Sequence, residues 1–261
     1  MELRDVKLRR YQREGSPGLV LCADIRGGER IAVVGMSGEE RCSFVDALLR
    51  FYELDTGHIL IDGVDLSTLP LHTLRSIICV IPSELVLFEG TLRYNLDPYN
   101  EYSDTAVWEA LTHCPSTQLL RCLDKEGLEA RVESRGGNFT TWERQIICWG
   151  RAILRQSKIV VVDMTSQTFH QQRTNPPLPS SNHFTVLQEA LPSSTIITLI
   201  NNNNNNNNIN NINLESFNRV MVVQEGKVVE FDTSANLTKD PSSVLWSLLF
   251  AARTKPTMAP V

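Results

Sequence analysis

Apolar and polar positions alternate at the start of the chain. Residues 1–8, MELRDVKL, have a period of two and predict an edge strand. Residues 20–25 predict a second strand, after a turn holding Gly15, Pro17 and Gly18. Residues 31–34 are an unbroken apolar run and predict a buried strand. Gly35 and Gly38 follow, then an apolar-periodic helical segment at 44–49. Residues 57–65, GHILIDGVD, form a short apolar run with a turn at Asp62-Gly63. Residues 71–75 predict a helix. The run IICVIP at 77–82 predicts a strand buried on both faces and stopped by proline.

Helices are predicted at 91–96 and 103–114, with Asp104 near the start of the second. After a glycine turn at 136, an amphipathic helix runs from about Thr140 to 154. The β-branched run 159–162, ending at Asp163, is the strongest buried-strand signal in the chain. A helix at 184–191 and a strand at 195–200 follow. Residues 220–223 and 227–231, joined by Glu225-Gly226, predict a hairpin, and 242–250 a closing helix. Alternating strands and helices predict an α/β fold with a mostly parallel sheet and, beside it, an antiparallel lobe built from the early strands.

Two stretches fit no element. Residues 172–183 make a Pro/Ser-rich loop, and 201–213 an Asn-rich segment that cannot bury a core and is expected to be a disordered insertion. Otherwise the 261 residues are read as a single domain. They are 42% hydrophobic and 21% charged, ordinary values for a globular chain. The net charge of −5 argues against a nucleic-acid partner. Six cysteines without CxxC spacing predict small core fillers in a reducing setting rather than zinc ligands. No apolar run is long enough to cross a bilayer, so a role at a membrane would need other segments to hold the domain there.

The chemistry-bearing stretch is IAVVGMSGEERCS at 31–43. Strand, glycine turn and helix is the arrangement that cradles phosphates in P-loop proteins. The pattern G-x-x-x-x-G-K-[ST] is met only at Gly35. Glu40 stands for the second glycine, Arg41 for the lysine and Cys42 for the hydroxyl residue. From these residues alone the stretch is either a degenerate phosphate loop or a plain strand-to-helix turn.

Other segments carry a resemblance. GHILIDGVD, LPLHTLRS at 69–76, VLFEGTLRYNLDPYNEYSD at 86–104, WEAL at 108–111 and KVVEFDT at 227–233 closely resemble nucleotide-binding domains of ATP-binding cassette (ABC) transporters. The match is to the second such domain of the C subfamily, the multidrug-resistance and sulfonylurea-receptor group, and it spans nearly the whole chain. The resemblance implies a P-loop NTPase-type sheet with a small antiparallel β lobe and a helical lobe. It implies ATP as ligand, Mg²⁺ as its metal, and pairing with another cassette domain and with transmembrane domains at the cytoplasmic face of a membrane.

Carried over residue by residue, the implied nucleotide contacts are Tyr11 on adenine, and Gly35, Met36, Ser37, Gly38, Arg41, Cys42 and Ser43 on the phosphates. Glu40 puts a carboxylate where phosphate oxygens would sit, and Cys42 removes a hydroxyl that would bind Mg²⁺. Ser83 stands for the family's glutamine. Thr140, Trp142 and Glu143 stand in the signature that faces a partner's nucleotide. Asp163 matches the acidic residue that holds Mg²⁺ through water. Met164 replaces the catalytic glutamate and Asn201 the switch histidine, so no catalytic residue is assigned. The expectation is a degenerate domain that binds ATP weakly with little or no hydrolysis. The alternative is a non-binding structural partner or the product of a decaying gene.

Overall fold

A computed structural model of the chain describes residues 1–8, 18–114, 126–164, 187–200 and 213–250. Its strands are β1 (Glu2–Leu8), β2 (Leu19–Asp24), β3 (Arg30–Val34), β4 (Thr56–Ile61), β5 (Val64–Asp65) and β6 (Ile78–Ile81). They continue with β7 (Gly90–Thr91), β8 (Arg131–Val132), β9 (Ile159–Met164), β10 (Thr195–Ile200), β11 (Arg219–Gln224) and β12 (Lys227–Asp232). The helices are α1 (Gly38–Leu48), α2 (Leu71–Ile77), α3 (Leu92–Leu96), α4 (Asp104–Thr112), α5 (Thr141–Arg155), α6 (Ser234–Lys239) and α7 (Val244–Phe250). The chain divides into two compact units, Met1–Ile78 with Thr195–Val261, and Cys79–Ser194.

In the first unit the strands lie in the order β5-β4-β1-β2-β12-β11-β3-β10. The neighbours of β3 are parallel to it on both sides, while β1, β2, β4 and β5 pair antiparallel. The mostly apolar β3 and β10 sit where a parallel sheet needs them: Ile31 to Val34 and every residue of β10 are buried. The hairpin β11–β12 turns through Glu225 (φ 50°) and Gly226 (φ 75°), the left-handed pair that fits a tight hairpin.

The period of two in β1 is broken once. Its register against β2 shifts between Leu3 and Val6, and Asp5 has φ 45°. This bulge moves the buried positions from Leu3 to Val6 and Leu8 and turns the intervening Arg4 and Asp5 outward. The bulge lies against Gly57 of β4 (φ 87°), where any Cβ would run into the carbonyls of Arg4 and Asp5. Further along, Arg219 ties the unit together. It bonds both Glu29 carboxylate oxygens at 2.6 and 2.8 Å and the Asp24 carbonyl at 2.7 Å, and stacks over Phe231 at 3.9 Å.

In the second unit β6 lies beside β9, and β7 pairs antiparallel with β8. The long α5 packs on α3 and α4. Gly150 permits that approach, because a Cβ there would come within 3.0 Å of Leu96 and 3.4 Å of Leu111. Asn95, buried, accepts from the Phe88 amide and donates to the Phe88 carbonyl, both at 2.8 Å, and Arg151 donates to its carbonyl at 2.6 Å.

Most predicted elements appear with boundaries shifted by a residue or two, but α1 begins six residues before the helical segment predicted at 44–49, and β7, β8 and α6 were not anticipated. Helix α6 has no counterpart in the sequence reading. Asn213, at the end of the Asn-rich segment, caps the 3₁₀ turn Leu214–Ser216 by accepting from the Glu215 amide at 3.0 Å. Residues 172–183 and 201–212 lie outside the described residues, as do 184–186 of the helix predicted at 184–191; residues 187–190 are helical. No described helix is long and apolar enough to cross a membrane.

Candidate functional site

The candidate phosphate loop leaves the buried end of β3 at Gly35. Its φ of 93° belongs to the left-handed side, and a Cβ would strike the Val223 carbonyl of β11. Glycine is therefore required here for two separate reasons. Met36 is buried. Ser37 is extended and becomes the N-cap of α1, an eleven-residue helix. The sequence S-x-x-E then closes a capping box. Ser37 Oγ accepts from the Glu40 amide at 3.3 Å, and Glu40 Oε2 accepts from the Ser37 amide at 2.6 Å.

Glu40 thus folds back over the start of its own helix, where the dipole favours negative charge. Arg41 also turns inward: its Nη1 donates to the Met36 carbonyl at 3.1 Å. Ser43 is buried, and its hydroxyl donates to the Glu39 carbonyl at 2.8 Å. Cys42 is an exposed free thiol. The turn and the first residues of α1 hold Gly35, Met36, Ser37, Gly38, Arg41, Cys42 and Ser43. They direct Arg41 onto its own backbone and commit the Ser43 hydroxyl within the helix.

The lysine position holds a guanidinium engaged with a carbonyl, and the hydroxyl position holds a thiol, a poor partner for a hard cation. One amide of the turn is already taken by a carboxylate.

The signature-like residues form a second cap in the second unit. Thr140 is the N-cap of α5, and its hydroxyl accepts from the Glu143 amide at 3.3 Å. The buried Glu143 carboxylate accepts from the Thr140 amide at 2.7 Å and the Thr140 hydroxyl at 2.8 Å. Trp142 falls in the first turn of that helix. Elsewhere in the unit, Ser83 is half-buried just beyond β6, and Asp163 is half-buried near the end of β9, next to the buried Met164. Tyr11 and Asn201 lie outside the described residues. No group of three or more His, Cys, Asp or Glu among the described residues could hold a metal ion.

The sequence reading treated Glu40 only as a like charge facing phosphate, and Thr140 as a cap or a signature hydroxyl. The paired capping boxes were missed. Their signal is present in both places as S-G-E-E at 37–40 and T-T-W-E at 140–143.

The sequence model of the ABC transporter family matches residues 21–166. ATP-binding cassette sub-family C member 2 of Homo sapiens is 34% identical over 221 residues, covering 85% of this chain and 13% of that protein. ABC transporter C family member 5 of Arabidopsis thaliana is 34% identical over 263 residues, covering 100% of this chain and 16% of that protein. The chain therefore spans a small fraction of the length of the curated relatives it matches. Among solved structures, a bacterial Atm1-family ABC exporter with ATP bound superposes with a TM-score of 0.78 at 21% identity, over 99% of this chain and 42% of that one.

Proposed function

The chain belongs to the ABC transporter family, as a nucleotide-binding domain of the C-subfamily type, and from that premise we propose that it is a degenerate domain that binds ATP weakly and hydrolyses it little or not at all. The carrying observation is the helix start at Ser37–Cys42, where a carboxylate takes one of the loop's amides, the guanidinium faces its own backbone and a thiol replaces the metal-binding hydroxyl. Phosphoryl transfer depends on positioning and on charge stabilisation by a lysine, a metal and a water-orienting group. Met164 cannot orient water, so the hydrolytic step lacks its base whatever the affinity.

In this reading ATP, when bound, supplies no chemistry. The chain's own contribution is Gly35 and Gly38, which let the backbone approach phosphate, and the amides that open α1. Among the described residues Asp163 is the candidate for a metal, and without a hydroxyl at 42 binding is largely indifferent to Mg²⁺. The domain acts as the regulatory or structural half of a pair with another cassette domain, joined to transmembrane domains and held at the cytoplasmic face of a membrane. A second reading, a non-binding structural partner or the product of a decaying gene, draws on the sealing of both helix starts by Glu40 and Glu143.

Calorimetric titration of the chain with ATP, in Mg²⁺ and then in EDTA, decides between them. The expected result is a sub-millimolar Kd that changes less than about threefold between the two buffers, an energy difference of about 0.6 kcal/mol, with no release of phosphate. A folded sample that gives neither heat nor thermal stabilisation at several millimolar ATP leaves only the second reading.

A further inference from the structure

We infer that Glu40 is a resident anion of the phosphate loop, an intramolecular competitor that keeps the Ser37 amide at the entry to α1 occupied and sets how weakly the chain binds phosphate. This rests on the reading of the loop as a nucleotide site and deepens it. A glutamate three residues past an N-cap is by itself a helix-stabilising device. Its place here is what gives it a second consequence. The loop is the phosphate-binding turn of a family to which the chain belongs, and residues 21–166 match that family's sequence model. In this turn the Glu40 carboxylate sits 2.6 Å from the Ser37 nitrogen, at charge-assisted hydrogen-bond distance.

Three further observations bear on it. The one cation in the turn, Arg41, donates to the Met36 carbonyl at 3.1 Å. The Glu40 carboxylate is matched to the Ser37 amide and the helix dipole, partners that a phosphate would also use. Glu39, its neighbour, is exposed and makes no such contact with its carboxylate among the described residues. Finally, the arrangement recurs in the other unit, where Glu143 closes on the Thr140 amide at 2.7 Å at the start of the signature-like helix. Both helix starts that the family devotes to nucleotide phosphate carry their own carboxylate.

An incoming triphosphate must displace Glu40 or lie beside it, and like charges a few ångströms apart repel even at the protein surface. Removing the charge should tighten phosphate binding, although it loosens the helix cap. A purely structural cap predicts the reverse, lower stability with no gain in affinity.

The test uses sodium tripolyphosphate as the probe, in a phosphate-free buffer with EDTA, titrated calorimetrically into the full chain and into Glu40→Gln, Glu40→Gly and Glu39→Gln. Thermal melts of each confirm folding. The expected result is a Kd at least about tenfold tighter in both Glu40 variants, about 1.4 kcal/mol, and within about twofold of the parent in Glu39→Gln. Glu40→Gln keeps the size of the side chain, so it isolates charge if the glycine variant is too unstable to measure. Equal affinity in the parent and Glu40→Gln overturns the inference and leaves the weak-binding reading standing. An equal gain in Glu39→Gln also overturns it, since general surface charge would then be the cause. No binding by any folded protein overturns both the inference and the nucleotide-site reading.

Discussion

Gly35 shows what one position has to satisfy. It ends the buried strand β3 with φ 93°, and its missing Cβ leaves room for the Val223 carbonyl of β11. Gly35→Ala meets a disfavoured backbone and a clash with main chain that no rotamer change relieves. The expected cost is about 2 kcal/mol or more in denaturant unfolding, with an unchanged m-value. A cost under about 0.5 kcal/mol would mean the turn can re-form without the left-handed angle. The need for glycine was legible in the sequence, because a strand-to-helix turn demands it. The directions of Arg41 and Glu40 were not. Charge at 40 and 41 can be read from the letters, but whether the guanidinium reaches outward or back to the Met36 carbonyl depends on the local turn. The missed clue was the S-x-x-E spacing, which states where the carboxylate will go.

Helix α5 joins the candidate signature to the packing of the second unit. Its buried side, including Ile146, Ile147, Trp149 and Ile153, was visible as an amphipathic pattern, and Thr140 as its start. Its close approach to α3 and α4 was not visible, because the reason for Gly150 lies in Leu96 and Leu111, far away in sequence. The same holds for β1. The polar pair Arg4-Asp5 interrupts its alternation, but Gly57, against which the bulge is fitted, lies on another strand. Local pattern fixes an element's type, whereas irregularities are set by contacts distant in the chain. The cap of α5 gives this a measurable form. Thr140→Ala removes the hydroxyl that accepts from the Glu143 amide and donates to its carboxylate. The loss is expected to be about 1 kcal/mol, and Thr140→Ser should recover most of it. Equal destabilisation by both substitutions in chemical denaturation would assign the role to the threonine methyl rather than to the cap.

Each unit carries a partly buried acid-base pair, and both contribute to how the molecule responds to acid. In the first, burial works to raise the Glu29 carboxyl, but the Arg219 guanidinium and the Arg26 amide outweigh it and hold it below its usual range. In the second, burial likewise opposes ionisation of Asp97, and the amides of Tyr102 and Glu101 with the Arg93 guanidinium overcome it. Arg93 and Asp97 meet at 3.0 Å with little exposure on either side chain. Because both carboxyls are depressed in the folded state, their contribution is fully present above their unfolded values, about 3.9 for Asp and 4.3 for Glu. It is lost as pH falls through the lower folded values. The melting temperature should therefore stay nearly level from about pH 7 to 5 and fall below about pH 4. Asp97→Asn should lower stability at neutral pH by about 3 kcal/mol, since it leaves Arg93 short of its buried partner. It should also make the acid fall shallower, because one of the protons taken up on unfolding has gone. An unchanged acid slope would place the linkage in other carboxylates. Under the proposed weak binding, ATP at twice its Kd adds only about 0.6 kcal/mol and does little to mask this profile. The pH response of the free chain, to which these ion pairs contribute, should then persist almost unaltered when nucleotide is present at about its Kd.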